Sequence, residues 1–358
     1  MDASGPPRFG LDLDPGEVLV PEVVADRCVH SHLEQATCRA CVDTCPRGAF
    51  VLDDERLGIA TARCDACGLC VPACPQGAVL SLLSPVTYQV EGTSVAFAAC
   101  QVARSGIGEP GVLPCLHALG LRQLLALRHA GATRLALTRG DCRTCPRGAV
   151  TPIDTHLDAA RRILESRGLA PLTPVFVDAE AWARAREAAA HQPSQGLDRR
   201  AFFRRARDVA VEQVVRRSDE NPRPGDAAAS TGPGRLFPTT APGQLVPFVP
   251  DIDPRLCSGC DACARLCPEG AIQVEANAYR LEPDTCTGCS ICVDVCTEDA
   301  VRVSVLSVPS CTEVLLHPGR CGACGVLFHS PRLDASATGL CPICEVTGHH
   351  RRLFQVLS

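Results

Sequence analysis

Cysteine is the residue type in this chain whose spacing could do chemistry. Of its 25 cysteines, fifteen fall into four tight runs. Two of these are complete and alike: Cys257-x2-Cys260-x2-Cys263-x3-Cys267-Pro268 and Cys286-x2-Cys289-x2-Cys292-x3-Cys296. Thiolates at steps of three, with a fourth four residues on, are spaced as ligands of iron–sulfur clusters. Three close sulfurs grip one [4Fe–4S] cube, and the fourth reaches toward a second. Zinc sites usually take two separated pairs instead. Disulfide frameworks belong to short secreted chains. This chain has 358 residues and opens Met1-Asp-Ala-Ser-Gly-Pro-Pro, without the apolar stretch of a secretory signal.

The N-terminal part repeats the design. Cys64-x2-Cys67-x2-Cys70-x3-Cys74-Pro75 is complete, whereas Cys38-x2-Cys41-x3-Cys45-Pro46 has Gln35 where a first cysteine is expected. The nearest candidate is Cys28, ten positions before Cys38. Eighteen residues separate Cys45 from Cys64, and eighteen separate Cys267 from Cys286. The words Cys45-Pro-Arg-Gly-Ala, Cys74-Pro-Gln-Gly-Ala and Cys267-Pro-Glu-Gly-Ala match as well. Self-similarity of this kind marks a duplicated unit.

Both units resemble the bacterial dicluster ferredoxins over about a third of the chain. Carried over residue by residue, the resemblance implies four [4Fe–4S] cubes with crossed ligands. One takes Cys257, Cys260, Cys263 and Cys296, and its neighbour takes Cys286, Cys289, Cys292 and Cys267. In the N-terminal unit Cys64, Cys67, Cys70 and Cys45 hold one cube, and Cys38, Cys41, Cys74 and Cys28 hold the other. Two departures stand out. Thr297 replaces the proline expected after Cys296. The long interval from Cys28 to Cys38 leaves a three-iron cluster, or none, as alternatives at that site.

Composition fits such units. Aromatic residues make up 4%, with one Trp and one Met. Small domains with so few large apolar side chains bury little, so metal centres must help hold them together. The net charge of −5 offers no basic footprint for nucleic acid. All 35 basic residues are Arg. No apolar run approaches the roughly 20 residues of a membrane span. Reduced thiols and the missing signal point to the cytoplasm.

Elements that alternate in type separate the two units. Ser94–Ala99 reads as a buried strand ending at Cys100. Leu116–His129 has helical periodicity stopped by Gly131, and Thr133–Thr138 is a second strand. Ala159–Ser166 reads as helix, Pro174–Val177 as strand and Glu180–Ala190 as helix. The alternation predicts a small parallel α/β domain. Its cysteines, Cys100, Cys115 and the pair Cys142-x2-Cys145, lie at strand ends or turns, where sites of such folds form. The segment from Cys100 to Cys145 resembles the small iron–sulfur subunit of some hydrogenases and heterodisulfide reductases. That resemblance implies a fifth cluster on Cys100, Cys115, Cys142 and Cys145. The alternative is a redox dithiol or zinc half-site at Cys142 and Cys145, with Cys100 and Cys115 as core residues.

Beyond this, Asp198–Arg217 carries an apolar stripe (Phe202, Phe203, Ala206, Val209, Ala210, Val214) and seven arginines, the pattern of a basic amphipathic helix. Residues 218–245 are rich in Pro, Gly, Ala, Ser and Thr and read as a flexible linker. Near the C-terminus, Cys321-x2-Cys324 and Cys341-x2-Cys344 are separated by 16 residues. Two such knuckles read as a zinc ribbon; a single iron is the alternative. Cys311 has no partner nearby in sequence and is expected to be buried.

The predicted fold class is therefore α+β, in five parts. Residues 1–92 and 248–308 form ferredoxin-like modules. Residues 93–190 form the small α/β domain, 191–247 the basic helix and linker, and 309–358 the zinc-ribbon-like domain. No G-x-G-x-x-G after a strand, P-loop or nucleophile–base arrangement stands out, so no catalytic residue is assigned. The reading is an electron carrier, or a subunit of an oxidoreductase complex, relaying electrons through four cubes. The segment Leu197-Asp-Arg-Arg-Ala-Phe-Phe-Arg-Arg is similar to one in ferredoxins that accompany molybdenum oxidoreductases. This implies a partner of the formate dehydrogenase, nitrate reductase or hydrogenase type. The alternative is a maturation or regulatory protein that assembles or senses for such an enzyme.

Overall fold

The repeated cysteine word builds the same local structure four times. A short helix carries the preceding cysteine of each run: Ala40–Thr44, Cys70–Ala73, Ala262–Arg265 and Ile291–Asp294. After the last cysteine the chain turns through a left-handed residue, at Gly48 (φ +55°), Gly77 (+63°), Gly270 (+65°) and Asp299 (+50°). Glycine takes this conformation freely, and aspartate is among the few other residues that tolerate it. A strand follows each turn: Phe50–Leu52, Val79–Leu80, Ile272–Val274 and Val301–Ser307. The computed structural model describes residues 20–52, 57–81, 83–103, 109–145, 147, 152–191, 232–332 and 339–348. The expected basic helix at 198–217 lies outside these.

The two modules share a topology. In the first, Phe50–Leu52 pairs antiparallel with Leu57–Ile59, and Val79–Leu80 with Glu22–Val23. In the second, Ile272–Val274 pairs with Ala278–Leu281, and Val301–Ser307 with Val246–Ile252. Thus a hairpin joins the two cysteine runs, and the last strand returns to pair with the strand that precedes the first run. Their small cores include cysteine side chains, among them Cys41 and Cys70 in one and Cys263 and Cys292 in the other.

Between the modules, Thr93–Cys100 lies inside a five-stranded sheet. It pairs antiparallel with Val86–Val90, and parallel with both Arg134–Thr138 and Val112–Leu113. Thr173–Phe176 extends the sheet in parallel. Helices Leu121–His129 and Ile153–Ser166 bury Leu124, Leu125, Ile163 and Leu164 against one face, and Trp182 of Ala179–His191 packs on the other. The helix expected over 116–129 is split at Gly120, whose backbone is extended (φ −91°, ψ −179°) and which sits so close to Pro72 that a Cβ there would lie 2.4 Å from the proline Cβ. Only a 3-10 turn, Leu116–Ala118, precedes the break. The helix expected from Ala159 begins six residues earlier, at Ile153, which is fully buried. The polar Asp154-Thr155-His156 turn hides that start in the sequence.

Three boundaries differ from the composition-based reading. Val86–Val90 belongs to the sheet rather than to the first module. Residues 232–245, read as linker, pack closely: Gly232 and Gly234 lie against the backbone of Asp284 and Thr285, where a Cβ would come within 2.7 Å. Glycine here permits close backbone approach instead of flexibility. Thr239 donates to Asp284 from both its backbone N–H and its hydroxyl. The buried Arg167 donates to the Leu245 carbonyl, with Asp284 3.8 Å away. Lastly, Glu313–Leu315 pairs with Ala278–Leu281, because Val314 and Leu316 complete the second module's core. Among the described residues, no helix is long and apolar enough to cross a membrane.

Candidate iron–sulfur and metal centres

Twenty-four of the cysteines gather in six groups of four. Cys28, Cys38, Cys41 and Cys74 line one cavity, and Cys45, Cys64, Cys67 and Cys70 a second. Cys267, Cys286, Cys289 and Cys292 line a third, and Cys100, Cys115, Cys142 and Cys145 a fourth. Cys263 lies in the electrostatic reach of Cys257, Cys260 and Cys296, which makes the fifth group. The sixth is Cys321, Cys324, Cys341 and Cys344, whose sulfurs all lie within 4.8 Å of one another. The one left over, Cys311, is exposed and not buried as expected; its thiol donates to the Glu313 carbonyl.

The gathering follows from local structure. In each module the last cysteine of one run is thrown back by the left-handed turn toward the other run. The same turn aims a backbone N–H at its sulfur: Ala49 to Cys45 (3.4 Å), Ala78 to Cys74 (3.2 Å), Ala271 to Cys267 (3.2 Å) and Ala300 to Cys296 (3.3 Å). Thr297 in place of proline leaves this geometry intact. Cys28 is delivered by two 3-10 turns, Ala25–Arg27 and Val29–Ser31. Its loop is pinned by a hydrogen bond of 2.8 Å between His30 Nε2 and the Cys38 carbonyl.

The electrostatics suit a cationic group. Burial pushes the Cys41, Cys115, Cys263 and Cys286 thiols up to about 12, and Cys67 up to about 11. Cys70 and Cys292 are pushed higher still by the same cause. Such sulfurs ionise when a metal coordinates them, because the ion outweighs the burial. In the sixth group, backbone amides of Cys324 and Cys341 pull the Cys321 thiol down, whereas burial pushes Cys344 up. A tetrahedral ion needs four such thiolates. Cys321 ends the strand His317–Arg320, which pairs with Leu327–Ser330; Cys341 caps the helix Pro342–Thr347, which carries Cys344.

Side chains that the cysteine spacing does not reveal surround the groups. Burial works to raise Asp65, but hydrogen bonds, first from the Arg47 side chain, hold it below the usual carboxylate range. Arg147 approaches the same carboxylate at 3.9 Å. His117 is buried beside Cys115, and its Nδ1 accepts from the Ile153 N–H at 2.9 Å. Burial, and then Arg139, lowers its basicity. The residue between proline and glycine in the repeated word was one available signal, since it differs among the module runs: Arg47, Gln76 and Glu269.

The groups adjoin one another in an order that is not chain order. Cys115 packs with Cys67 and Leu69, so the Cys100 group borders the Cys45 group. Cys41 and Cys70 share the first module's core. Val29 and Cys38 pack with Cys289 and Ile291 across the seam between modules. Cys292 lies in the electrostatic reach of Cys263. At the far end, Gly259 (φ +77°) sits against the His329 backbone, where a Cβ would lie 2.3 Å from the carbonyl oxygen. His329 also bonds Asp261 at 2.7 Å, and Tyr279 donates to Asp261 at 2.8 Å.

The 4Fe–4S dicluster domain family matches the chain twice, over residues 36–78 and 256–300. These segments hold every cysteine of the four runs, and Cys28 falls outside them. No curated protein matches the chain. The chain thus carries two 4Fe–4S dicluster domains, which mark it as an iron–sulfur protein.

Proposed function

We propose that the chain is a polyferredoxin, a relay that carries electrons between redox partners through four [4Fe–4S] clusters and a fifth cluster in the middle sheet. Each cluster, when bound, supplies a one-electron store. The observation that carries the reading is the file of adjacent cysteine groups. A carrier needs neighbouring centres, whereas a scaffold that only binds clusters does not. The ligands would be the four groups of the two modules and Cys100, Cys115, Cys142 and Cys145.

The four cysteines that line one hollow support the fifth cluster. The empty space among Cys100, Cys115, Cys142 and Cys145 is about 370 Å³. The three cavities in the modules measure about 360, 340 and 320 Å³. The middle hollow is thus lined by four cysteines as each module hollow is. Cys142 is exposed, so this end of the file is open to a partner. The Cys321 group would hold zinc as a closed structural site. The partner would be an oxidoreductase of the molybdenum or hydrogenase type.

The protein's own residues would supply burial, amide hydrogen bonds to sulfur and local charge, the levers that set cluster potentials. The test is redox cycling of the anaerobically purified chain. A carrier is reduced and reoxidised repeatedly with iron and sulfide retained. A maturation factor would instead lose clusters to an added apo-protein acceptor.

A further inference from the structure

The middle sheet carries a further copy of the repeated cysteine word. Cys145-Pro146-Arg147-Gly148-Ala149 is identical, residue for residue, to Cys45-Pro46-Arg47-Gly48-Ala49 of the first module. The arginines of the two copies converge. Arg47 Nε donates to Asp65 Oδ2 at 3.1 Å, and Arg147 Nε approaches the same oxygen at 3.9 Å. The other carboxylate oxygen accepts the Cys67 N–H at 3.3 Å. Asp65 directly follows Cys64. A carboxylate set among the cysteines of the Cys45 group therefore receives one arginine from its own module and one from the middle sheet.

Arg147 does more than meet Asp65. Its Nη1 donates to the Pro114 carbonyl, and its Nη2 donates to Gln101 Oε1 at 3.2 Å. Gln101 follows Cys100, Pro114 precedes Cys115, and Arg147 itself comes two residues after Cys145. One guanidinium thus touches the chain beside two cysteines of the middle group, is covalently tied to a third, and reaches the neighbour of Cys64. Its side chain is 16% exposed. An exposed ion pair contributes little, but a planar fork with several donors can hold three segments in one arrangement. Two hydrogen bonds beside the Cys142–Cys145 pair, from the Arg143 N–H and the Thr144 hydroxyl to Asp141, stay within its own turn. The seam that Arg147 spans is tight. A Cβ on Gly68 (φ +76°) would lie 3.2 Å from the Ala118 Cβ, and Cys67 packs with Cys115.

We propose that Arg147 is the positioning residue of the middle centre. It closes the Cys142–Cys145 turn onto Cys100 and Cys115, and through Asp65 it fixes that centre beside the Cys45 group. The step between these two centres is thereby set by a side chain that ligates neither. The proposal rests on the polyferredoxin reading and on its fifth cluster.

The experiment compares the full chain, purified anaerobically, with Arg147→Met and Arg147→Lys. Methionine has no donor, and lysine keeps the charge without the planar fork. Cys145→Ser marks the signal of the middle centre by changing it. Iron and sulfide per chain are measured, with electron paramagnetic resonance of the fully reduced protein, in which two reduced neighbours broaden each other's signals. Expected for Arg147→Met is loss of the middle centre alone, about four irons per chain. Arg147→Lys retains more of that iron, but its loaded molecules show weaker broadening between the marked signal and its neighbour, which a merely stabilising contact would not change. Full iron with unchanged broadening in both variants overturns the proposal and leaves the relay intact. Loss of every centre in both variants overturns it too, because the effect is then not confined to the middle site. About 16 irons in the wild type would remove the middle centre and the proposal but keep a four-cluster relay. Absence of reversible cluster signals in the wild type would overturn the relay itself.

Discussion

The two ferredoxin modules are copies that differ at one corner, and the difference shows what completes a cysteine group. In the second module Cys257 and Cys260 are joined by one tight turn at Gly259 (φ +77°). In the first, the equivalent cysteine is replaced by Gln35, and Cys28 arrives from ten positions before Cys38. Both routes end with four sulfurs together. The longer route also carries Val29, Leu33 and Ala36 into the apolar contact with Ile291. Thr37, at the end of the same loop, bonds Asp294. The irregular corner is therefore the corner that docks the modules, whereas the regular corner packs on the terminal hairpin through His329.

The strongest way to break this comparison is to remove the two corner cysteines in turn. Cys28→Ala and Cys257→Ala should each cost one cube, about four irons per chain, or leave a three-iron cluster. Iron analysis with electron paramagnetic resonance distinguishes these. If Cys28→Ala retained full iron content and unchanged signals, the first module would complete its site without Cys28.

Next in size is the seam. Val29→Asp places an unpaired carboxylate against Ile291 and should destabilise the protein by about 3–4 kcal/mol. The urea midpoint, read with the clusters intact, measures it; an unchanged midpoint would mean the seam is open in solution. At the regular corner, Gly259→Ala forces a Cβ onto the His329 carbonyl in a left-handed conformation. It should cost about 1–3 kcal/mol and loosen the terminal hairpin. Faster proteolysis within residues 317–348 would report that loosening.

Asp294→Ala removes both bonds to Thr37. Because these are exposed, a loss of only about 1 kcal/mol is expected. The smallest effect concerns the middle sheet. Burial, and then His117, lowers the basicity of His156 from 6.5. The folded state then binds fewer protons than the unfolded one, so stability is fully present above the unfolded value. It falls as pH drops below about 6.5. His156→Gln should flatten that slope in a series of thermal melts, and an unchanged slope would refute the assignment.

Much of this was legible in the sequence because cluster ligation leaves a spacing that few other demands impose. The grouping of Cys267 with Cys286, Cys289 and Cys292 follows from runs that a hairpin folds face to face. The gathering of Cys28 was legible only through the duplication, since its own surroundings carry no spacing signal. Contacts between units were not legible. Gly232 and Gly234 read as linker because composition does not distinguish a glycine that bends freely from one that lets two backbones touch. The start of the helix at Ile153 was masked by its polar first turn. Cys311, having no partner nearby in sequence, was expected to be buried, yet lies exposed two residues from a strand whose Val314 takes the buried place.

The most direct test of the relay is the metal content of the anaerobically purified chain, measured with a redox titration. The account predicts about 20 irons and a matching amount of sulfide per chain, one zinc, and cluster signals that appear and vanish reversibly. About 16 irons would remove the cluster from the middle sheet. Far fewer, or signals that do not return on reoxidation, would contradict the relay itself.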